Sequence, residues 1–277
     1  MDTLNHDWLA LMTMVFVLGL RHGMDPDHLA TIDGLTQFNA LAQRRLARWC
    51  GFLFSLGHGI VVSIVAVAVG LLARELIVPV WLEDVGAWTS ILFLLMLGGL
   101  NLVAVFAAKP DELVRPVGLK GRWLGRFCRT SHPLLIVSIG ALFALSFDTM
   151  TQAVVFSIAA AGVGGWGFSA LLGVTFMSGM MATDGLNGWW MSRMLAGGGQ
   201  RARIASRMMG LVIATLSLAV GALGLARYFF PAVARYCSGS ELNFGLLFVA
   251  VVAFSFVVSL GLVGRTGKQM VLARNRI

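Results

Sequence analysis

Charged side chains are scarce in this chain: they make up 12% of its 277 residues, and only 13 residues are acidic. Hydrophobic residues make up 58% and the mean hydropathy is +0.83, more than any soluble core requires, so composition places the chain among integral membrane proteins. Cysteine is as sparse. Cys50, Cys128 and Cys237 stand far apart without a Cys-x-x-Cys pair, which argues against a disulfide framework and a thiolate metal site. There are five histidines, too few for a membrane di-iron oxygenase, and no His-Glu-x-x-His helix of the kind a zinc protease needs. A Gly-x-x-x-x-Gly-Lys-Ser/Thr phosphate loop is also missing, so the chain shows no nucleotide chemistry and no built-in ATPase. An enzyme is not expected.

What the chain has is long apolar runs. Seven segments, about 8–33, 51–73, 86–108, 133–160, 166–192, 207–230 and 241–264, are long enough to cross a hydrocarbon layer of roughly 30 Å. The first seven residues carry Asp2 and Asp7 and no Lys or Arg, unlike the basic start of a cleavable signal peptide, so the first segment is expected to be retained. Of the 21 Lys and Arg residues, 17 fall in the connections after the first, third and fifth segments and in the C-terminal tail. By the positive-inside rule the N-terminus is outside and the C-terminus cytoplasmic. The same short loops account for the net charge of +8, which therefore points to anionic headgroups rather than to nucleic acid.

Polar residues inside these segments are concentrated. Residues 21 to 33 read Arg-His-Gly-Met-Asp-Pro-Asp-His-Leu-Ala-Thr-Ile-Asp, placing His22, His28, Asp25, Asp27 and Asp33 within about three helical turns. The second segment adds Ser55 and His58, the fourth Asp148, Thr149 and Gln152, and the fifth Thr183, Asp184 and Asn187, whereas the third and sixth are nearly bare. Ionisable groups in hydrocarbon are costly unless each faces a partner, a cavity or an ion, so the run marks a substrate path. The order polar, polar, apolar, repeated, predicts two three-helix halves, about 8–108 and 133–230, related by inversion, with 241–264 an extra helix outside the symmetry. The best local match between the halves is Phe54-Ser55-Leu56-Gly57-His58 against Phe176-Met177-Ser178-Gly179-Met180. The whole chain, 1–277, reads as a single membrane transport domain with an all-α fold of about seven transmembrane helices.

On a straight helix His22, Asp25 and Asp33 share a face, while Asp27 and His28 point well away. Pro26 alters that geometry, because it removes a hydrogen bond to the carbonyl of His22 and crowds the same turn. A break there is expected to bring Asp27 and His28 to the cavity of His22, as in discontinuous transporter helices. Imidazole with carboxylate suits Ni²⁺, Co²⁺ or Zn²⁺ better than Cu(I) or Mg²⁺. His22, Asp27, His28, Asp25 and His58 are the candidate metal ligands, with Asp33, Asp148, Asp184, Ser55 and Thr149 along the pathway or behind the ligands. Asn101, Gln152 and Asn187 read as links between helices, and the methionines as packing.

Arg21-His22-Gly23-Met24-Asp25-Pro26-Asp27-His28-Leu29 resembles the signature of the nickel/cobalt transporter family, whose pattern is close to Arg-His-Ala-x-Asp-Ala-Asp-His-Ile. Leu56-Gly57-His58, the run Ser146 to Gln152, and Phe176-Met177-Ser178-Gly179-Met180 with Asp184 resemble three further motifs of that family in order. The resemblance spans about residues 10 to 190. It implies a single-component permease of the bacterial inner membrane that imports Ni²⁺ or Co²⁺, with the signature helix required for transport. Residue by residue it carries over His22, Asp27 and His28, and also His58, Asp148 and Asp184. The metal is cargo, and no resident cofactor is implied. The chain departs from the pattern at Pro26, Gly34, Gln37, Gly59 and Gln152, and it is expected to do without the span that commonly precedes the signature helix. An exporter of the same metals, or an accessory subunit delivering metal to metalloenzyme assembly, is the alternative.

Overall fold

Hydrocarbon offers backbone amides no partner, so a chain this apolar satisfies them within helices. The computed structural model of the chain describes residues 2–42, 44–72, 80–109, 111–114, 130–145, 147–161, 164–196 and 199–237. Every regular element among them is helical. In order these are α1 (Asp2–His22), α2 (Pro26–Leu41), a 3-10 turn (Arg45–Trp49), α3 (Cys50–Leu72) and α4 (Val80–Ala107), followed by α5 (Pro133–Ala144), α6 (Phe147–Ala161), α7 (Gly165–Ala196), α8 (Gly199–Phe229) and α9 (Pro231–Cys237). Among the described residues four stretches, Arg45–Leu71, Asp84–Ala107, Gly165–Ala196 and Ala202–Phe229, are long and apolar enough to cross a membrane. Ile64, Val103, Phe106, Leu134 and Leu186 are each more than half exposed on outer faces, a surface suited to lipid rather than water. The expected segment 241–264 and the C-terminal tail lie outside the described residues.

Two of the expected spans are not straight helices. Instead of one helix over 8–33, the chain forms α1 and α2, separated at Gly23, Met24 and Asp25. The cause is local. Pro26 has no N–H for the carbonyl of His22, which instead accepts from the Asp25 amide at 3.0 Å in a tight turn. Pro26 then occupies the first turn of α2, where its missing donor costs nothing. The expected helix over 133–160 is likewise divided into α5 and α6, with Leu145 donating to the Leu142 carbonyl at 3.3 Å as α5 closes.

The packing is crosswise. Helices α3 and α7 form the innermost pair, α1 and α2 lie on α7, α5 and α6 lie on α3, and α4 packs on α8. Glycines let the backbones meet. A Cβ on Gly140 would run into the carbonyl of Phe54, and one on Gly57 into that of Val137; a Cβ on Gly19 would strike the carbonyl of Phe176, and one on Gly179 that of Phe16. On the α4–α8 pair, Gly98 faces Leu218 and Gly221 faces Leu95. Arg207 of α8 donates to the Ala108 carbonyl at 2.8 Å and to that of Lys109, satisfying carbonyls at the end of α4.

Candidate metal site

The break between α1 and α2 sets the site. His22 ends α1 and His28 lies in the first turn of α2, so the two rings that a straight helix would separate come together with centroids 4.8 Å apart. His58, in the third turn of α3, completes the group: its ring lies 5.2 Å from that of His22 and 4.7 Å from that of His28. One ligand atom from each of the three imidazoles falls within 4.8 Å of the others, and the side chains are 4%, 1% and 0% exposed. His22 Nε2 and His58 Nε2 are 3.3 Å apart. That is the separation of about 3.3 Å expected for two nitrogens on a tetrahedral ion with bonds of roughly 2.0–2.1 Å.

Carboxylates stand behind two of the rings. His22 Nδ1 lies 2.9 Å from Asp25 Oδ2, and His28 Nδ1 lies 3.0 Å from Asp184 Oδ2 on α7. A carboxylate accepts, so at His28 the proton belongs on Nδ1 and Nε2 presents its lone pair, the arrangement that fixes tautomer and ring orientation in metal sites. Ser55 Oγ donates to the same Asp184 oxygen at 2.6 Å, and both residues are fully buried. Thr149, in the first turn of α6, brings Oγ1 to 3.2 Å from His22 Nε2, so the second helix break also converges on the group. Phe54 packs edge-on against His28 at 4.9 Å and Phe176 lies 5.4 Å from His22, forming apolar walls that exclude water. Three neutral nitrogen donors backed by two carboxylates can hold a divalent first-row ion with its charge offset.

The remaining residues singled out from the sequence are placed differently. Asp27 is half-buried, accepts from the His28 amide at 3.0 Å, and is not among the atoms that converge with the imidazoles. Asp33, which a straight helix puts on the face of His22, instead accepts from Gln37 Nε2 at 3.2 Å. Asp148 lies in the first turn of α6, and its side chain lies outside the described residues. The aromatic walls were not singled out from the sequence. Their signal was present, since Phe54 and Phe176 open the two segments that match between the halves.

Replacing Asp184 with Asn keeps the shape and removes the charge behind His28. Ni²⁺ affinity of the purified protein is expected to fall by about 10–100-fold, the usual cost of losing an orienting partner. Ser55→Ala, which leaves the carboxylate in place, should cost less. Titration checks both, and an unchanged affinity in Asp184→Asn would remove Asp184 from the site.

The profile of a family described as high-affinity nickel-transport protein matches residues 8–263. A nickel transporter, NixA, of Staphylococcus aureus is 28% identical over 214 residues, covering 66% of this chain and 61% of its own. Nickel transporter NicT of Mycobacterium tuberculosis is 33% identical over 207 residues, 64% of this chain and 55% of its own. Cobalt transport protein NhlF of Rhodococcus rhodochrous is 27% identical over 210 residues, 65% of this chain and 58% of its own. The match thus spans between half and two thirds of the length of these relatives. No solved structure matches the chain. The chain is an integral membrane protein that belongs to the high-affinity nickel-transport family, a family of transporters rather than enzymes.

Proposed function

We propose that the chain is a permease that carries Ni²⁺ or Co²⁺ inward across a bacterial cytoplasmic membrane without an ATPase partner. The observation that carries this reading is the buried triad of His22, His28 and His58, two of whose rings are held by carboxylates so that Nε2 faces the group. Asp25 and Asp184 match the charge of a bare dication where water is scarce. Asp27, half-buried beside His28, supplies a carboxylate at the rim of the site. The membrane potential favours entry of a dication by about 4.6 kcal/mol per 100 mV, which supplies the driving force. The names of the relatives, nickel transporters and a cobalt transporter, support this cargo.

An inverted repeat is part of the same reading. Gly19 and Phe16 of α1 precede Gly140 and Val137 of α5 by 121 residues each, and Phe54 and Gly57 of α3 precede Phe176 and Gly179 of α7 by 122 each. The reciprocal close approaches of α1 on α7 and α5 on α3 therefore use the same register. In the third pair, Leu95 and Gly98 precede Leu218 and Gly221 by 123 each. Two halves that each begin with a broken helix and meet at their breaks form the architecture in which a midplane site opens alternately to either side. The N-terminus is outside and the C-terminus cytoplasmic.

Uptake of radiolabelled Ni²⁺ and Co²⁺ by a host lacking its own importers tests the reading. Accumulation above the empty-vector level is expected, and it should collapse when the membrane potential is dissipated. Accelerated loss of preloaded metal would instead identify an exporter, and no flux in either direction an accessory subunit.

A further inference from the structure

Helices α2 and α7 continue past the imidazoles in matched steps. His28 meets Asp184 at 3.0 Å, and four residues on in both helices Ile32 Cγ2 lies 3.5 Å from where a Cβ on Gly188 would stand, so the two helices run parallel. Just beyond the triad this interface holds polar groups with nothing to bond. Asn187 is 4% exposed, and among the described residues neither Nδ2 nor Oδ1 of its amide has a hydrogen-bond partner; Asp33 is 0% exposed, and its Oδ1 has none among them. Both lie on faces that meet. Asp33 follows Leu29 by one turn and Asn187 precedes Met191 by one turn, and Leu29, Ala30, Met191 and Leu195 belong to one apolar cluster with Met209 and Ile213 of α8. The second Asp33 oxygen accepts from Gln37, whose Nε2 also reaches the Val114 carbonyl at 3.1 Å.

Unbonded amide and carboxylate groups inside hydrocarbon cost several kcal/mol each unless water or an ion satisfies them. Asp33 has no Lys, Arg or His within ion-pair distance among the described residues. It offers a carboxylate and Asn187 an amide carbonyl, hard oxygen donors unlike the imidazoles one turn above.

We propose that Asp33 and Asn187 form a second station for the permeating dication, an oxygen-ligand site on the cytoplasmic side of the triad that takes the ion partly hydrated as it leaves the imidazoles. The proposal rests on the permease reading. Oxygen donors hold a first-row dication less tightly than three imidazoles do, so the station lowers the step between a dry nitrogen site and water without trapping the ion. Its polar atoms also give the ion's remaining waters partners as they return.

The test uses the full chain in lipid nanodiscs, wild type and the variants Asp33→Asn, Asp33→Glu and Asn187→Leu. Ni²⁺ titration reports the triad, and Mn²⁺, which prefers oxygen ligands, reports the station by electron paramagnetic resonance. Asp33→Asn and Asn187→Leu should keep Ni²⁺ affinity within about threefold of wild type, bind Mn²⁺ at least about tenfold more weakly, and import Ni²⁺ at least about tenfold more slowly. Asp33→Glu should retain Mn²⁺ binding. Uptake at the wild-type rate in Asp33→Asn, or wild-type Mn²⁺ binding in it, would overturn the station, and absence of bound Mn²⁺ in wild type would leave only a hydrated vestibule, which also overturns it. Loss of Ni²⁺ affinity together with uptake would assign the two residues to the fold instead. Wild type that binds no Ni²⁺ would be a failure of the permease reading, separate from these outcomes.

Discussion

Alanine at His22, His28 or His58 is expected to abolish uptake while the protein still accumulates in the membrane. Each substitution removes one of three nitrogen donors from a site whose other wall residues, Phe54 and Phe176, offer none. The loss should exceed the roughly 10–100-fold that removal of an orienting partner costs, because the remaining two nitrogens fill only two of the four tetrahedral positions, where the triad fills three. Asp25→Asn should be milder: His22 keeps Nε2 directed at His58 through its packing on His28 and Phe176, and only the negative charge 2.9 Å from Nδ1 is lost. Uptake and Ni²⁺ titration on the same preparations separate binding from transport. Normal transport by any one of the three alanine variants would exclude that histidine.

Valine at Gly140 or Gly57 is expected to cost the folded protein rather than the site. Either side chain would enter the space of a carbonyl on the neighbouring helix, Phe54 in one case and Val137 in the other, and backbone cannot rotate aside as a side chain can. Overpacking of a core typically costs about 1–3 kcal/mol, and against a helix backbone the effect should lie at or above that range. Gly19→Val, directed at the Phe176 carbonyl, should reproduce the defect from the other half of the molecule. Gly99→Ala is the control. Nothing lies within 4 Å of its Cβ position, so it should leave stability unchanged or raised by up to about 1 kcal/mol through helix propensity. Thermal unfolding in detergent with size-exclusion profiles measures all four, and a stable Gly140→Val would contradict the close α3–α5 packing.

The candidate site was legible in the sequence to the extent that it depends on local chemistry. Five ionisable groups crowded around Pro26 signalled both the cost of burial and the break that relieves it, and His58 stood out as an imidazole in an apolar helix. The partner of His28 was not legible, because Asp184 comes from 156 residues further along the chain, and only tertiary packing brings it there. The division of the fourth span was missed for a related reason: no proline marks Leu145, and the polar residues that follow it, Ser146, Asp148 and Thr149, fit a continuous helix as well as a broken one. Asp33 was assigned to the His22 face because a straight helix was the reference, and the turn at Gly23 to Asp25 changes the phase of everything after it. Asn187 read as a link between helices, yet its amide makes no such link among the described residues.

X-ray absorption spectroscopy at the nickel edge of the purified, Ni²⁺-loaded protein tests the triad most directly. Three imidazole nitrogens at about 2.0–2.1 Å, with their outer-shell ring scattering, are the expected result, falling to two in His58→Ala. A first shell of oxygen alone, one containing sulfur from the methionines around α7, or a spectrum unchanged by His58→Ala would contradict it.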